Sequence, residues 1–405
     1  MRLIGLPSIS LFTDPRAIKQ IFTADADDAQ AGKANGVLKP ILGANSVLLL
    51  DGDKHKRERK LLMPSFHGER MRHYGETMRT ITDASLEEWP REQPFPIHER
   101  MQAITLNIIL QTVFGVSEGH RLRRLRSLLI EFLSIAGNSP LLLVRWLQVN
   151  LGPLTGWRRM TVLGQEIDKL LYEEIRERKL SNDSSRTDIM TMLLLATDED
   201  GRGMSDEELR DEMVTMLLAG HETTTTSLSW VIYRLLKHPT ILEAARSEIN
   251  AVVGSSQLET EHISELEYLD AVIKETARLH PIVPLVARYL TRDTTVGQYR
   301  MPAGTVASPC IYLTHRRPDL WPDPDVFDPE RFLGKRVDPY SFFPFGGGNR
   351  HCLGAAFATF EMKIVLAQVL SKVSLRTAPG PDITTVRRSI TFAPSAGMPV
   401  ICTGQ

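Results

Sequence analysis

Ser205 and Glu208 form a serine–glutamate pair three residues apart, and behind them an apolar pattern of helical period runs to Lys237, where His238-Pro239 stops it. The stretch predicts one helix of about 33 residues, about 50 Å long at 1.5 Å per residue. A rod of that length crosses a whole domain, so the rest of the chain has to be built around it. Its middle is poor helix material. Ala219-Gly220-His221-Glu222-Thr223-Thr224-Thr225-Thr226 sets a glycine before a run of β-branched residues. Such a local conflict, placed at the centre of the longest element, marks a site where function overrides stability. The competing reading is a threonine-rich helix with a purely structural role. His221-Glu222 also begins like the zinc-protease pattern H-E-x-x-H, but position 225 is threonine and ends that comparison.

A second conflict lies at Phe345-Gly346-Gly347-Gly348-Asn349-Arg350-His351-Cys352-Leu353-Gly354, just before an apolar helical pattern over 355–370. Three glycines let a backbone turn tightly beneath a flat object. Cys352 falls near a helix N-terminus, where free N–H groups and the helix dipole stabilise a thiolate and are expected to lower its pKa. A glycine-rich turn with a structural cysteine is the alternative. Composition narrows the field further. The chain has 405 residues, 42% of them hydrophobic, enough for a large core. A net charge of −1 argues against nucleic acid as a partner. Cys310, Cys352 and Cys402 are odd in number and far apart, which suggests neither a disulfide framework nor a multi-cysteine zinc site and fits a reducing cytoplasm. No apolar run reaches the roughly 20 residues that span a bilayer, so no membrane anchor is expected.

The motif F-x-x-G-x-R-x-C-x-G resembles the haem-ligand signature of the cytochrome P450 superfamily, and Ala219 to Thr224 resembles its [AG]-G-x-[DE]-T-T. Three further motifs follow in the family's order. His55 and Arg59 resemble H-x-x-x-R, Glu275 and Arg278 resemble E-x-x-R, and Pro329-Glu330-Arg331-Phe332 matches P-E-R-F. The resemblance covers nearly the whole chain from about residue 9. In the family, several dozen residues with a first helix and strand stand before that point.

The resemblance implies a mainly α fold in one domain over 1–405, with a small β subdomain and haem b between the long helix and the cysteine loop. It makes Cys352 the axial thiolate, with Phe345 and Gly354 beside it in the haem loop. His55, Arg59, Arg288 and Arg350 are then expected to hold the propionates, and Ala219 and Gly220 to let the haem approach. Thr223 would turn into the oxygen pocket where the helix opens, and Glu222 would relay protons to it. Glu275, Arg278 and Arg331 would form a buried ion triad behind the haem loop. Leu38, Ile41, Leu42, Leu285, Val286 and Ala396 are expected to line a lipophilic substrate pocket, and residues 140–152 to resemble the lid of the substrate channel. The implied reaction is insertion of one atom of O2 into a fatty acid, terpenoid or steroid-like molecule. Its electrons come from NAD(P)H through a separate ferredoxin or flavodoxin with its reductase, which would dock on basic residues of the segment 54–60. The protein is expected to be a cytoplasmic monomer. A peroxide-driven peroxygenase, an isomerase and a non-enzymatic haem or gas sensor are the rival readings.

Local patterns predict strands at 9–12, 296–299, 306–313 and 389–392. Asp14-Pro15 opens a helix to Phe22, amphipathic helices run over 103–114, 122–135 and 162–175, and Cys310 and Cys402 belong to the core.

Overall fold

The computed structural model describes residues 7–403 apart from 67, 69, 116–118, 139–155, 182, 184, 255 and 389–390. The expected lid, 140–152, lies outside the described residues. The spine helix runs Asp206–Lys237, 32 residues, and its capping box is complete. Glu208 N–H donates to Ser205 Oγ at 3.1 Å, and Ser205 N–H donates to the Glu208 carboxylate at 2.8 Å. Buried residues occur all round its axis, among them Leu209, Met213, Leu217, Leu228, Trp230 and Ile232. This is the pattern of a helix enclosed by others.

The threonine-rich middle remains regular helix because its hydroxyls bond back one turn. Thr223 Oγ1 donates to the Ala219 carbonyl at 2.7 Å, Thr224 to Gly220 at 2.9 Å and Ser227 to Thr223 at 3.0 Å. Against the spine lies the helix Ile97–Phe114, also buried on most sides, and the two are joined by Thr105 and Thr225, whose hydroxyl oxygens are 2.6 Å apart. The helices Arg70–Glu87, Glu267–Leu279 and Ala355–Lys372 complete one large apolar core around the spine. The amphipathic patterns at 103–114, 122–135 and 162–175 fall inside Ile97–Phe114, His120–Asn138 and Gly156–Ser181.

The β structure is small and broken. Ile9–Phe12 pairs in parallel with Val306–Pro309, and Arg288–Leu290 and Ala29–Gln30 extend that sheet antiparallel. Asp14 caps the helix Pro15–Thr23, which packs on a second core of Phe12, Ile18, Phe22, Leu290 and Phe343. Three predicted strands are corrected. Residues 296–299 span a hairpin turn between Thr294–Val296 and Tyr299–Met301, made possible by Gly297 at φ +60°. The strand from Val306 ends at Pro309, and Ile311–Thr314 is a helical turn. Near the C-terminus, Thr385–Arg388 and Thr391–Pro394 form a second hairpin. Pro399–Cys402 joins Pro94–Pro96 and Leu375–Thr377 in a three-stranded sheet.

Candidate functional site

The cysteine loop rests on the N-terminal helix. A Cβ at Gly347 would meet the Phe22 ring at 2.4 Å, and one at Gly348, whose φ is +66°, would meet the Phe22 carbonyl oxygen at 2.0 Å. Two of the three glycines are therefore required by Phe22, a constraint invisible in the motif. The loop is closed by Cys352 N–H donating to the Phe345 carbonyl at 2.9 Å, and Gly354 caps the helix Ala355–Lys372. Cys352 has open surface, although protein surrounds its sulfur at longer range. Burial raises its thiol pKa, while the Gly354 N–H donated to the sulfur and the charge of Arg59 pull the other way. The expected lowering is thus outweighed by burial. The anionic sulfur depends on a positive partner, as a metal-bound thiolate has.

Four predicted propionate ligands come together next to this loop, from three separate parts of the chain. His55 and Arg59 lie on the helix Gly52–Leu62, Arg288 opens a strand, and Arg350 belongs to the loop itself. His55 is buried at 2% exposure, and its Nδ1 has no hydrogen-bond partner. Burial and the charges of Arg350, Arg59 and Arg288 push its pKa down to about 4, so the ring is neutral. Arg288 donates only to the carbonyls of Ala287 and Gly347, at 3.0 and 3.3 Å, and burial together with Arg350 lowers its pKa to about 10. Arg59 forms neither an ion pair nor a hydrogen bond among the described residues. Arg350 is engaged: it pairs with Asp51 at 2.6 Å and donates to the carbonyls of Val47 and Leu50. It therefore ties the loop 47–51 to the cysteine loop, and Arg59 and Arg288 are the cations with donors to spare. A cluster of three guanidiniums and an unpartnered imidazole, with one internal carboxylate, suits a dianion at its rim. These residues fit the two propionates of a haem whose iron is held by Cys352.

On the spine, Ala219 is exposed and Thr223, one turn on, is half-buried, so this stretch of the central helix has a face that the other elements leave uncovered. Gly220 does not share that face: a Cβ there would meet Ile109 at 3.0 Å, so the glycine serves helix packing and only Ala219 serves approach. The helix is closed at Thr223, whose hydroxyl is held by Ala219, in contrast to the expected opening. Glu222 points to the opposite partner helix. Gln102 Nε2 donates to its Oε2 at 3.2 Å, and Arg388 and His98 flank its Oε1 at 3.6 and 3.8 Å. Burial raises the Glu222 pKa, opposed by Arg388 and Gln102. His98, Gln102 and Arg388 carry no motif; they were missed because only the tertiary fold brings them to Glu222.

The ion triad forms as expected. Arg278 grips Glu275 with two bonds of 2.7 and 2.8 Å, both side chains are fully buried, and Arg331 lies 3.5 Å from the same carboxylate. Arg278 also donates to the carbonyls of His315, Pro324 and Val326, and Asp328 N–H donates to Glu275 at 2.9 Å.

The expected substrate wall is divided. Leu42 is buried in the main core, with Leu38 and Ile41 packed partly against it. Val286 packs on the second core and Leu285 is exposed. Ala396 lies elsewhere, in a turn at φ +53° lining a cavity with Pro96 and His98. Phe392 stands nearer the segment after Glu267–Leu279, its N–H donating to the Ile282 carbonyl at 2.9 Å. The basic stretch 54–60 is largely neutralised, Lys56 by Asp53, Arg57 by Asp198 and Lys60 by Glu199, so it is a weaker anionic docking face than its sequence suggests.

A cysteine on a glycine loop rimmed by arginines, together with an acid–threonine pair on the central helix, is the residue set of a haem-thiolate protein. The family model for cytochrome P450 matches residues 5–398, and the chain belongs to the cytochrome P450 family. It is 40% identical over 378 residues to cytochrome P450 135B1 of Mycobacterium tuberculosis, covering 93% of this chain and 78% of that protein. It is 35% identical to cytochrome P450 135A1 of the same species, over 96% of this chain and 84% of that one. The solved structure of retinoic acid-bound cyanobacterial CYP120A1 superposes with a TM-score of 0.89 at 28% identity, covering 100% of this chain and 91% of that chain. The family makes this protein a haem-dependent oxidoreductase of the monooxygenase type. Among the described residues no helix is long and apolar enough to cross a membrane.

Proposed function

We propose that this cytochrome P450 oxygenates an elongated apolar substrate of isoprenoid or fatty-acid type, with O2 as oxidant and with electrons passed from NAD(P)H by a separate ferredoxin or flavodoxin and its reductase. The observation that carries the reading is the Glu222–Thr223 pair on the open stretch of the spine. An acid beside a hydroxyl is what delivery of protons to dioxygen requires. Haem bound through Cys352 supplies the oxygen-activating chemistry. Around it, Arg59 and Arg288 hold the propionates, and neutral His55 donates a hydrogen bond without adding a further buried charge. Thr223 must release the Ala219 carbonyl to donate forward, and its hydroxyl then passes on the proton that Glu222 supplies. The apolar side chains Leu38, Ile41, Leu285 and Val286, and the likeness to a protein solved with retinoic acid, support a lipophilic substrate.

Two measurements test the proposal. The dithionite-reduced protein with carbon monoxide is expected to show the strongly red-shifted Soret band of thiolate ligation, and Cys352→His to lose it. Titration of the ferric protein with all-trans-retinoic acid and with long-chain fatty acids is expected to produce a spin-state shift. A histidine-type carbon monoxide spectrum in the wild type would overturn the site. Product formation that depends on peroxide alone and is indifferent to Thr223→Ala would favour a peroxygenase.

A further inference from the structure

The following rests on the reading of His55, Arg59 and Arg350 as holders of the propionates, and concerns what keeps them in place. Glu58 shares the buried face of the helix Gly52–Leu62 with His55, and Glu212 lies on the spine. The two glutamates are 1% and 0% exposed. Oε1 of Glu58 and Oε2 of Glu212 are buried with no hydrogen-bond partner among the described residues. A pair of ionised carboxylates with such orphaned oxygens is poorly tolerated in a protein interior.

The positive charge nearby is already divided. Arg57 Nε donates to Asp198 at 2.7 Å, while its Nη1 lies 3.2 Å from Glu58 and 3.3 Å from Glu208. Arg210 pairs with Asp211 at 2.7 Å and with Asp168 of the helix Gly156–Ser181, and Tyr172 of that helix also faces Asp211. Glu212 receives the Val47 N–H at 2.5 Å. Burial raises the Glu212 pKa well above the carboxylate range, and the charges of Glu58, Asp211 and Glu208 add to it against the Val47 N–H. Burial and Glu208 push Glu58 up to about 7, opposed by Arg57. Among the described residues no group of three or more His, Cys, Asp or Glu side chains is placed to hold a metal ion. The positive charge that the pair needs is therefore a proton.

Val47 connects this pair to the haem edge. Its N–H ends on Glu212, and its carbonyl accepts from Arg350 Nη1 at 3.1 Å. The two residues before it are fixed to the spine as well. Ser46 Oγ accepts from Thr215 Oγ1 at 2.7 Å, and Asn45 N–H donates to Asp211 at 2.8 Å. The segment 45–47 is thus laid along one turn of the spine, between the buried acids and Arg350.

We propose that Glu58 and Glu212 form a proton-dependent latch between the helix Gly52–Leu62 and the spine, and that this latch positions His55, Arg59 and Arg350 for the haem. While Glu212 keeps its proton, the two helices close over at most one negative charge. When it loses the proton, two buried carboxylates repel across the interface, and parting of the helix and the segment 45–47 from the spine is favoured. Once parted, both carboxyls are solvated and return to the ordinary range, so opening releases protons and the latch weakens as pH rises through the folded pKa values. Glu58 completes its part by about pH 7, and His55 titrates between about 4 and 6.5, so the range above pH 7 reports Glu212.

The test uses the haem-loaded protein. Hydrogen exchange of the segment 44–50, read by mass spectrometry and corrected for the intrinsic pH dependence of exchange, is expected to quicken by up to about tenfold per pH unit between about pH 7 and about pH 8.5, the slope of one released proton. Haem transfer to apomyoglobin is expected to follow the same slope. Glu212→Gln keeps an acceptor for Val47 but cannot ionise, so its exchange should be slow and flat across the range. Glu58→Gln removes the repelling charge and is expected to slow exchange throughout. Thr215→Val, which removes the Ser46 contact and leaves the pair alone, should quicken exchange equally at every pH and keep the wild-type slope. A flat wild type, or a wild-type slope in Glu212→Gln, would overturn the latch. Should Glu212→Gln not fold, unchanged exchange in Glu58→Gln overturns it alone. A rate that changes on adding a chelator would also overturn it, by placing a metal ion where the proton is assigned. The expected exchange slope with haem transfer indifferent to pH would keep the latch and instead remove His55, Arg59 and Arg350 as propionate holders, so the two readings fail separately.

Discussion

Two arginine clusters, one around Glu275 and one beside the cysteine loop, are satisfied in opposite ways. In one, Arg278 is met by Glu275 and by three backbone carbonyls, so that its own donors end on acceptors supplied by the chain. In the other, His55, Arg59, Arg288 and Arg350 share only Asp51 and a few carbonyls among the described residues, and burial, followed by the charge of neighbouring arginines, depresses the pKa values of His55, Arg288 and Arg350. A cluster neutralised from within is scaffold. One left short of negative charge is a binding site. The same residue type thus has two roles, and counting partners distinguishes them better than counting arginines.

The contrast can be broken most severely from the scaffold side. Glu275→Ala leaves Arg278 buried and uncompensated, and is expected to cost about 3–5 kcal/mol; circular dichroism melts should show both haem-free and haem-loaded protein losing stability together. Arg59→Leu is expected to do the reverse: the haem-free melt stays the same or rises, while haem transfer to apomyoglobin quickens about tenfold, the loss of one charge-assisted contact. Equal destabilisation of both forms would show that Arg59 is scaffold after all.

His55, His98 and His221 have folded pKa values near 4 against an ordinary 6.5, chiefly through burial, so the unfolded chain binds more protons between those pH values. Stability therefore falls as pH drops from about 6.5 to about 4. His221, fully buried with Nδ1 on the Leu217 carbonyl at 2.7 Å and Nε2 unpartnered, contributes to that slope, which denaturant titrations of His221→Gln should show reduced. Asp51→Asn releases Arg350 from a partly exposed pair and is expected to cost about 1 kcal/mol in the haem-free melt. Smallest of all, Lys60→Ala removes a surface pair with Glu199 and should leave the melting temperature unchanged.

Much of the site could be read from motif spacing because its residues are locally constrained. Cys352 must follow a tight loop, Thr223 must sit one turn from Ala219, and Glu275 must lie within helical reach of Arg278. The spine's start and stop were equally legible, since a capping box and a His-Pro pair act on neighbouring backbone groups. Two glycines have causes that lie far away in the chain. Gly220 and Gly347 are small because of Ile109 and Phe22, which lie 111 and 325 residues away in the chain, and the motif carries no trace of them.

By itself, then, the sequence determined the elements whose causes are local: the capped spine, the cysteine loop, the acid–threonine pair and the predominance of helix. The fold alone decided which arginines are paired. It turned Arg350 to Asp51, left Arg59 free, set His98 and Arg388 around Glu222, and moved Ala396 away from the substrate wall. Charge pairing and burial depend on distances across the fold, and those are settled by packing of the whole core, which no single stretch of sequence records.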